Sequence, residues 1–296
     1  MDEELLAKYK LAGEITAKAR NYGASLIKPG VKLLDVCNAV DAKIAELGGQ
    51  PAFPAQVSRN KIAAHYCPSA DDETVFLKGD IIKLDVGVHI DGYVGDSAVT
   101  IDLGGNEELT NASKEALNNA LKIIKPGVTL GEIGRVIEET ITSHGFQPVR
   151  NLSGHGLGHY RIHTRPTVPN FDNGDDTELE ENQVIAIEPF ATNGTGLIHE
   201  AGEATIFALV QMKPVRSSMT REVLKTIQAY NGLPFTLRWL TQKHGEGKTR
   251  FALRELSKLG MIHKYPPLPE QADGLVSQHE HSVIVRDKPI ITTKID

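Results

Sequence analysis

The chain has 296 residues, of which 40% are hydrophobic and 24% are charged, and these fractions are ordinary for a globular protein of one or two domains. Its net charge of −6 argues against a protein that binds DNA, RNA or an anionic membrane along its whole length. It has no apolar run of transmembrane length and no signal-peptide region at the acidic N-terminus, and its two cysteines exclude a disulfide framework, so we expect a cytoplasmic protein.

Two amphipathic helices begin the chain, with a Pro-Gly turn between them. Apolar residues spaced by three and four from Leu11 to Leu26 predict the first helix. The turn occupies residues 28–31, and the helix after it carries Cys37 on its apolar face. Cys37 is therefore interpreted as a core residue, whereas Cys67 has no assigned role.

The sequence repeats itself after the first strands. The tetrapeptide KPGV of residues 28–31 recurs at residues 125–128, and five further identities follow at the same shift of 97 positions. The shift then becomes 103, so that residues 79–85 align with residues 182–188 and both apolar strands end on a carboxylate, Asp85 or Glu188. Such self-similarity indicates an internal duplication.

A histidine precedes the carboxylate in each half. Residues 60–65 align loosely with residues 151–155, which matches His65 to His155. Two ααβ halves that face each other would bring these groups into one central cleft. The fold class is therefore predicted to be α+β, with two pseudo-twofold ααβ repeats.

Asp85 and Asp96 lie on two β-rich segments that surround an Asp-Gly pair, which is a strong hairpin signal. A fold point between Ile90 and Asp91 would make the two aspartates direct cross-strand partners, with Cβ atoms roughly 4.5–5.5 Å apart. Like charges at that distance repel each other, so a cation is expected between them. The alternative is that one aspartate caps the turn and the other is solvated.

One more acid lies near the end of the chain. Residues 278–285 are predicted to form a strand, with Glu280 on one face and His279 and His281 on the other. Glu is depleted in strands, and it either serves a site or faces water on an edge strand.

These residues together have the composition of a metal site. Four carboxylates in a half-buried cleft would be strongly destabilising without cations. Two divalent ions would neutralise them and lower the pKa of a water molecule at the site. The oxygen-rich set favours manganese, iron or cobalt over a thiolate zinc site, and the sequence has no HExxH or CxxC motif. The set consists of Asp85, Asp96, His155, Glu188 and Glu280.

With these residues in view, the whole chain closely resembles the type 2 methionine aminopeptidases, which have the pita-bread (creatinase/aminopeptidase) fold. The motifs that carry the resemblance are AHY at 64–66, KLDVG at 83–87, DSAVT at 96–100, NLSGH at 151–155, IEPF at 187–190 and EH at 280–281. The lack of a long polar N-terminal extension is typical of a short form.

The resemblance implies a role for each site residue. Two divalent ions (cobalt, manganese, iron or zinc) would be bound by Asp85, Asp96, His155, Glu188 and Glu280, with Asp96 and Glu280 bridging them. His65 and His163 would contact the substrate near the scissile bond, and Glu188 would also transfer a proton. The residues that would line the methionine pocket are Phe53, Ile162, Phe190 and Tyr265. The implied reaction is removal of an N-terminal methionine before a small second residue.

Residues 206–266 are predicted to form a helical insert, and residues 1–205 with 267–296 the catalytic domain. Residues 213–270 hold eleven Lys and Arg against four Glu, a net charge of +7 that leaves −13 for the rest. The resemblance implies that such an insert marks the type 2 subtype. Its basic helices either dock on ribosomal RNA near emerging nascent chains or form an ordinary solvated face. We expect a monomer that binds peptide N-termini, with no membrane and no specific DNA partner.

Two alternatives share the same fold. A proline-specific, prolidase-like peptidase would usually carry a large extra N-terminal domain, whereas the first repeat helix begins almost at Met1. A non-catalytic binding protein on this scaffold would have lost metal ligands, whereas all five are present here.

Overall fold

The computed structural model describes residues 1–295, with seven helices and fifteen strands in that range. The helices are α1 (Glu3–Leu26), α2 (Leu33–Glu46), α3 (Glu107–Ile123), α4 (Leu130–Ser143), α5 (Ser218–Gln228), α6 (Leu237–His244) and α7 (Glu246–Lys258). The strands are β1 (Gln50–Pro51), β2 (Gln56–Arg59), β3 (Ile81–Ile90), β4 (Tyr93–Asp102), β5 (Gln147–Pro148), β6 (Ser153–Gly158), β7 (Arg161–Pro169), β8 (Val184–Ile187), β9 (Phe190–Thr192), β10 (Ile206–Leu209), β11 (Phe235–Thr236), β12 (Ile262–Tyr265), β13 (Val276–Gln278), β14 (His281–Ile284) and β15 (Ile290–Ile291).

The structure contains the duplication. Moving α2 and β1 forward by 97 positions gives the observed bounds of α4 and β5, and the same shift relates the starts of β2 and β6. The Pro-Gly turns correspond as well, since Gly30 and Gly127 both have a φ in the left-handed region that favours glycine. Each half thus places two helices on one sheet, and the two helical pairs bury separate apolar cores.

The aligned histidines are not structurally equivalent, which corrects one detail of the repeat. His155 lies within β6, whose counterpart β2 has Ser58 at that position, and His65 follows β2 in a loop. Residues of the two halves are equivalent when they occupy the same position of corresponding strands. The sequence alignment of His65 with His155 does not follow that correspondence. The same sheet also shows that β3 continues to Ile90, so Asp85 lies inside the strand and not at its end.

The β3–β4 hairpin has a different register from the predicted one. Ile90 pairs with Tyr93, and the two central turn residues, Asp91 and Gly92, both have positive φ. A turn of this kind needs positive φ at both central positions, so its centre lies between Asp91 and Gly92. Asp85 therefore pairs with Ala98 instead of Asp96. Since the register moves by two residues, both aspartates keep to the same face.

Two sheets face the centre of the molecule. One contains β1, β3 and β2 with β4 on β3, and the other has the order β15-β14-β8-β6-β7. They are joined where Ser282 Oγ accepts from the N–H of Asp96 at 2.7 Å and donates to its carbonyl at 2.8 Å. The cleft that holds the candidate site lies at this junction.

The predicted strand over residues 278–285 is interrupted. Strand β13 ends at Gln278 and pairs with β9, whereas β14 begins at His281 and pairs with β8 and β15. Glu280 lies between them, where its N–H donates to Ala98 O at 3.0 Å. The chain changes sheets at this point, so the alternation of side chains along one strand does not apply across it.

Residues 206–265 form helices α5–α7 around a small antiparallel sheet of order β11-β10-β12. They bury an apolar core of their own, to which Val223, Leu240 and Leu256 contribute. The helices were predicted, but the sheet was not. Arg238 is fully buried and donates to Asp41 Oδ2 at 2.7 Å, which ties α6 to α2. Among residues 1–295, no helix is both long and apolar enough to cross a membrane.

Candidate active site

A cavity of about 200 Å³ opens between the two sheets, and every residue predicted for the site lines it. These residues are Phe53, His65, Asp85, Asp96, His155, Ile162, His163, Glu188, Phe190, Tyr265 and Glu280. They come from strands of both halves, from the loop after β2 and from the insert. The cleft therefore depends on the tertiary fold, because its lining residues come from segments that are far apart in the sequence.

Four carboxylates and one imidazole, which we call the acidic cluster, meet at one end of this cavity. It consists of Asp85, Asp96, His155, Glu188 and Glu280. His155 Nε2 lies 3.5 Å from Glu188 Oε1 and 3.8 Å from Asp96 Oδ2. One ligand atom each from Asp96, His155 and Glu280 fall within 4.8 Å of one another.

Burial raises the pKa of each carboxyl group in the acidic cluster. The pKa of Asp85 rises to about 7 for this reason. Burial also raises the pKa of Asp96 and Glu188, and the neighbouring charge of Asp85 adds to the effect. The pKa of Glu280 is raised by burial and then by Asp96, Glu188 and Asp85. Without compensating cations, these four carboxyl groups would thus resist ionisation.

Burial also keeps the imidazole of the acidic cluster neutral. The pKa of His155 falls to about 3 because its ring is buried, and the proximity of His163 lowers it further. A neutral imidazole has a free nitrogen lone pair, which is the form that ligates metal ions.

The donor set fits divalent metal ions. Asp85 Oδ1 and Asp96 Oδ1 are buried and have no hydrogen-bond partner among the described residues, which is costly for a carboxylate. Within residues 1–295, no lysine or arginine side chain lines the cavity to neutralise the four acids. Oxygen ligands with one imidazole suit manganese, iron or cobalt, and zinc is also compatible.

Several polar groups hold the acidic cluster in place. Gln278 Nε2 donates to Glu188 Oε2 at 3.1 Å. Ser97 Oγ donates to the carbonyl of Glu280 at 2.7 Å and accepts from Arg20 on α1. The sequence analysis had not selected these supporting residues. Their contacts with the cluster could not be predicted from local sequence, because the interacting residues lie far apart along the chain.

Two further histidines, His65 and His163, line the same cavity. The His163 ring packs edge-on against His155 at 4.5 Å between ring centroids, and the His65 ring packs against Tyr265 at 5.5 Å. Burial lowers the pKa of both rings, to about 4 for His65, with a further contribution from the neighbouring histidines. Both rings are therefore neutral near pH 7.

The hydrogen bond of His65 assigns its tautomer. His65 Nδ1 lies 3.3 Å from the carbonyl oxygen of Pro266, which accepts only, so the proton is on Nδ1. Nε2 then carries a lone pair and can accept a hydrogen bond from an N–H group of a bound molecule.

Apolar side chains form the other wall of the cavity. The predicted residues Phe53, Ile162 and Phe190 are buried there. A Cβ on Gly87 would lie 2.1 Å from the Phe53 ring, so a glycine at this position is what lets the ring reach the cleft. Ile206 and Pro234 complete the wall, together with Tyr265. The latter three belong to the segment predicted as an insert, so that segment is part of the cavity.

Three polar residues at the cavity were missed by the sequence analysis. Gln56 and Ser153 both line it and occupy the same position of β2 and β6 at the shift of 97. Asn151 lies nearby and exchanges hydrogen bonds with the backbone of Ile198 at 2.8 and 2.9 Å. The repeat itself carried the signal for the first pair, because equivalent strands of two facing halves reach the same cleft.

Comparison with known proteins identifies relatives over the full chain. The model of "Metallopeptidase family M24" matches residues 7–223. A methionine aminopeptidase of Archaeoglobus fulgidus is 47% identical over 296 residues, which cover 99% of this chain and 100% of that protein. A methionine aminopeptidase of Thermococcus onnurineus is 48% identical over 298 residues, with coverage of 99% and 100%.

Solved structures agree on the fold. A thermophilic Arx1 has a TM-score of 0.87 at 18% identity, covering all of this chain and 92% of its own. A methionine aminopeptidase from Thermotoga maritima has a TM-score of 0.73 at 25% identity, covering 100% and 98%. The prolidase from Pyrococcus furiosus has a TM-score of 0.63 at 20% identity, but the match covers only 65% of that chain. The pita-bread fold predicted from the sequence is confirmed.

Proposed function

The chain belongs to metallopeptidase family M24, and we propose that it removes the N-terminal methionine from peptides and nascent proteins. The observation that carries this proposal is the acidic cluster, two of whose buried carboxylate oxygens lack hydrogen-bond partners among the described residues, in one cavity with apolar side chains. Full-length relatives at 47% and 48% identity are methionine aminopeptidases, which supports the same substrate.

In this proposal the residues of the acidic cluster would hold two divalent ions. When bound, the ions would supply Lewis-acid polarisation of the scissile carbonyl and make water more acidic at the site. The four carboxylates provide the negative charge that binds such ions, and neutral His155 adds a nitrogen ligand.

Three residues of the chain would act on the peptide. Glu188 accepts a proton from the attacking water and passes it to the leaving amine, for which a carboxylate within reach of both is needed. His65 accepts a hydrogen bond from a substrate N–H through Nε2. His163, also neutral, donates to the oxygen on which negative charge develops.

The apolar wall would bind the methionine side chain. Phe53, Ile162, Phe190 and Tyr265 enclose a space that suits an unbranched thioether, and a pocket of this kind excludes charged side chains. A preference for a small second residue is part of the same proposal.

A direct test is peptide hydrolysis after metal removal and reconstitution with manganese, iron, cobalt or zinc in turn. We expect Met-Ala-Ser to be cleaved with at least one metal. Cleavage of Xaa-Pro dipeptides instead would favour the prolidase-like alternative. A protein that takes up no divalent ion by mass spectrometry and cleaves neither substrate would favour a non-catalytic binding protein.

The proton role of Glu188 has its own test. Glu188→Gln keeps the shape of the side chain and one oxygen ligand but removes the base. We expect kcat to fall by about 10²–10³-fold while metal content stays near two ions per chain. Near-wild-type turnover with both ions bound would show that another group moves the proton.

We propose further that the chain is of the type 2 subgroup, with residues 206–266 as the insert and residues 1–205 and 267–296 as the catalytic domain. The separate apolar core of the α5–α7 region supports that division. Limited proteolysis would test this division, because we expect cleavage near residues 205 and 266, where the two regions join.

The basic face of the insert is a candidate surface for ribosomal RNA. Arg254, Lys258 and Lys264 form no salt bridge among the described residues and lie along one groove, which Glu200 and Glu203 also line. Polyanion binding would use such unpaired cations. We propose that the protein is monomeric and cytoplasmic and that it co-sediments with ribosomes. Co-sedimentation should weaken when these three side chains are neutralised. Unchanged co-sedimentation would leave the insert as a solvated face.

A further inference from the structure

His65 is held in an unusual backbone conformation. Its φ is +68°, and it is the sole proposed site residue in the described chain that falls in the left-handed region. A residue with a Cβ pays a conformational cost there, so surrounding contacts must keep it in place. The identity of those contacts bears on how its imidazole is aimed at the cleft.

The N–H of His65 is held by the side chain of Gln56. Gln56 Oε1 accepts this hydrogen bond at 2.7 Å, and Gln56 is only 7% exposed at the wall of the cavity. On strand β2, Gln56 lies directly opposite Asp85 of β3. The same rung of the sheet thus supports a member of the acidic cluster and the main chain of His65.

The ring of His65 is held from the other side. Its Nδ1–H donates to Pro266 O at 3.3 Å. One hydrogen bond therefore fixes the main chain and another fixes the imidazole, and together they leave Nε2 free toward the cavity. Removing the Gln56 bond would release the strained backbone, which can then relax to a more favourable φ and rotate the ring away.

From this geometry we propose that Gln56 is a positioning residue for His65. It keeps the His65 backbone in the left-handed conformation and so keeps Nε2 pointed at the substrate N–H. The inference rests on the proposed peptidase function for its catalytic consequence, but the positioning itself is a property of the chain that can be measured without substrate.

Strand β2 offers a matched control two residues away. Ser58 Oγ accepts from the N–H of Tyr66 at 3.2 Å, so it holds the next backbone N–H after that of His65. Ser58 is buried like Gln56, but neither Ser58 nor Tyr66 lines the cavity. A Ser58 variant therefore shows the effect of losing a buried acceptor on β2 without affecting the position of His65.

The first measurement uses NMR of the histidine ring nitrogens in the metal-loaded full chain. Wild type and Ser58→Ala are expected to show His65 as the Nδ1–H tautomer. Gln56→Leu is expected to give a mixed or broadened His65 signal, because the ring is no longer fixed. An unchanged His65 signal in Gln56→Leu would overturn the proposal, whatever the activity of the protein.

The second measurement is a double-mutant cycle on Met-Ala-Ser hydrolysis. We expect Gln56→Leu to lower kcat by about tenfold with KM changed less than about threefold, since misplacing a catalytic group affects mainly the reacting state. In a His65→Ala background the same substitution should change kcat less than about twofold. Fully additive losses would contradict the proposal, as would a comparable kcat loss in Ser58→Ala at equal metal content.

The two proposals fail in distinguishable ways. Wild type that cleaves no methionyl peptide with any of the four metals contradicts the proposed function, and the NMR comparison still decides the role of Gln56. Wild type that cleaves the peptide, with Gln56→Leu unchanged in kcat and in the His65 spectrum, contradicts only the positioning role.

Discussion

Glu270 and the acidic cluster are both buried, but they differ in how many hydrogen bonds their carboxylate oxygens accept. Glu270 is fully buried, and its two oxygens accept five hydrogen bonds, from Thr195 N and Oγ1 and from the N–H groups of Gly196, Ala272 and Gly274. The acidic cluster instead leaves Asp85 Oδ1 and Asp96 Oδ1 without partners. The first carboxylate is satisfied by the chain, and the second set is prepared for a ligand from outside it.

The pKa values follow the same division. Burial alone would raise the pKa of Glu270, but the hydrogen bonds from Thr195, Gly274 and Ala272 lower it below its ordinary value of 4.5. In the acidic cluster burial raises the pKa of every carboxyl group, because no hydrogen-bond donors offset it to a similar degree. Burial of an acid thus indicates a binding site only when its oxygens lack donors.

The largest expected effect is on activity. Asp96→Asn removes the charge of the carboxylate proposed to be shared between two ions, and kcat/KM for Met-Ala-Ser should fall by at least about 10³-fold because the electrostatic contribution of the ions is lost. Glu270→Gln, assayed in parallel on folded protein, should stay within about threefold of wild type. Equal losses in both variants would erase the distinction between the two carboxylate sites.

The next effect is on stability and concerns Glu270. Glu270→Gln replaces a charged acceptor of five hydrogen bonds and turns one oxygen into a donor that faces N–H groups. We expect the free energy of unfolding to fall by about 2–3 kcal/mol in urea denaturation. Exposed Glu200→Gln, from the neighbouring loop, is the matched control and should change it by less than about 0.5 kcal/mol. A Glu270→Gln protein as stable as this control would mean that the five bonds contribute little.

Asp96→Asn should have the opposite sign in metal-free protein. Without ions, burial and the charges of Asp85 and Glu188 disfavour the ionised form of Asp96, which the unfolded chain carries at pH 7. The neutral Asn avoids this cost, so the free energy of unfolding at pH 7 should rise by about 1 kcal/mol. The measurement is urea denaturation with a chelator present. A decrease in stability would indicate that metal-free wild type already neutralises the cluster in another way.

A further effect is a difference in the pH dependence of stability. With a folded pKa near 7 for Asp85 against an ordinary value of 3.8, the unfolded chain loses this proton first as pH rises. Its contribution to stability is present at low pH and is lost between about pH 4 and pH 7. Metal-free wild type should therefore lose stability relative to Asp85→Asn across that window, as followed by urea midpoints. A flat difference would exclude the raised pKa.

For Glu270 the sign is reversed. Its folded pKa lies below the ordinary value of 4.5, so the unfolded chain takes up the proton first as pH falls. The contribution is present above about pH 4.5 and is lost in more acidic solution. The stability difference between wild type and Glu270→Gln should shrink below that pH, and a difference that grows there would contradict the hydrogen-bond account.

Much of this protein could be predicted from local sequence. The spacing of apolar residues predicted α1 and α2, and the repeated Pro-Gly turn predicted that α4 and β5 would follow the same plan, since both depend on short-range periodicity. The acidic cluster was also predicted as a set, and the structure brings all five residues to one cavity. Their metal-binding roles stay predictions.

The failures concerned how strands pair and where they end. The hairpin register was wrong by two residues because the fold point was expected between Ile90 and Asp91, whereas the turn is centred on the Asp91-Gly92 pair, whose two positive φ values such a turn requires. The strand predicted through Glu280 was wrong because its two parts join different sheets. The small sheet of β10, β11 and β12 was missed because each strand is too short to show a period.

The sequence by itself selected the candidate site residues, because ionisable side chains and turn residues can be read position by position. Only the tertiary structure decided which buried carboxylates have hydrogen-bond donors and which do not, since residue type alone does not separate Glu270 from Glu280. It also decided that Gln56 reaches His65, because a hydrogen bond between a strand and the following loop depends on where the backbone turns. The geometry of hydrogen-bond partners, and not residue type, separates a structural acid from a candidate metal ligand.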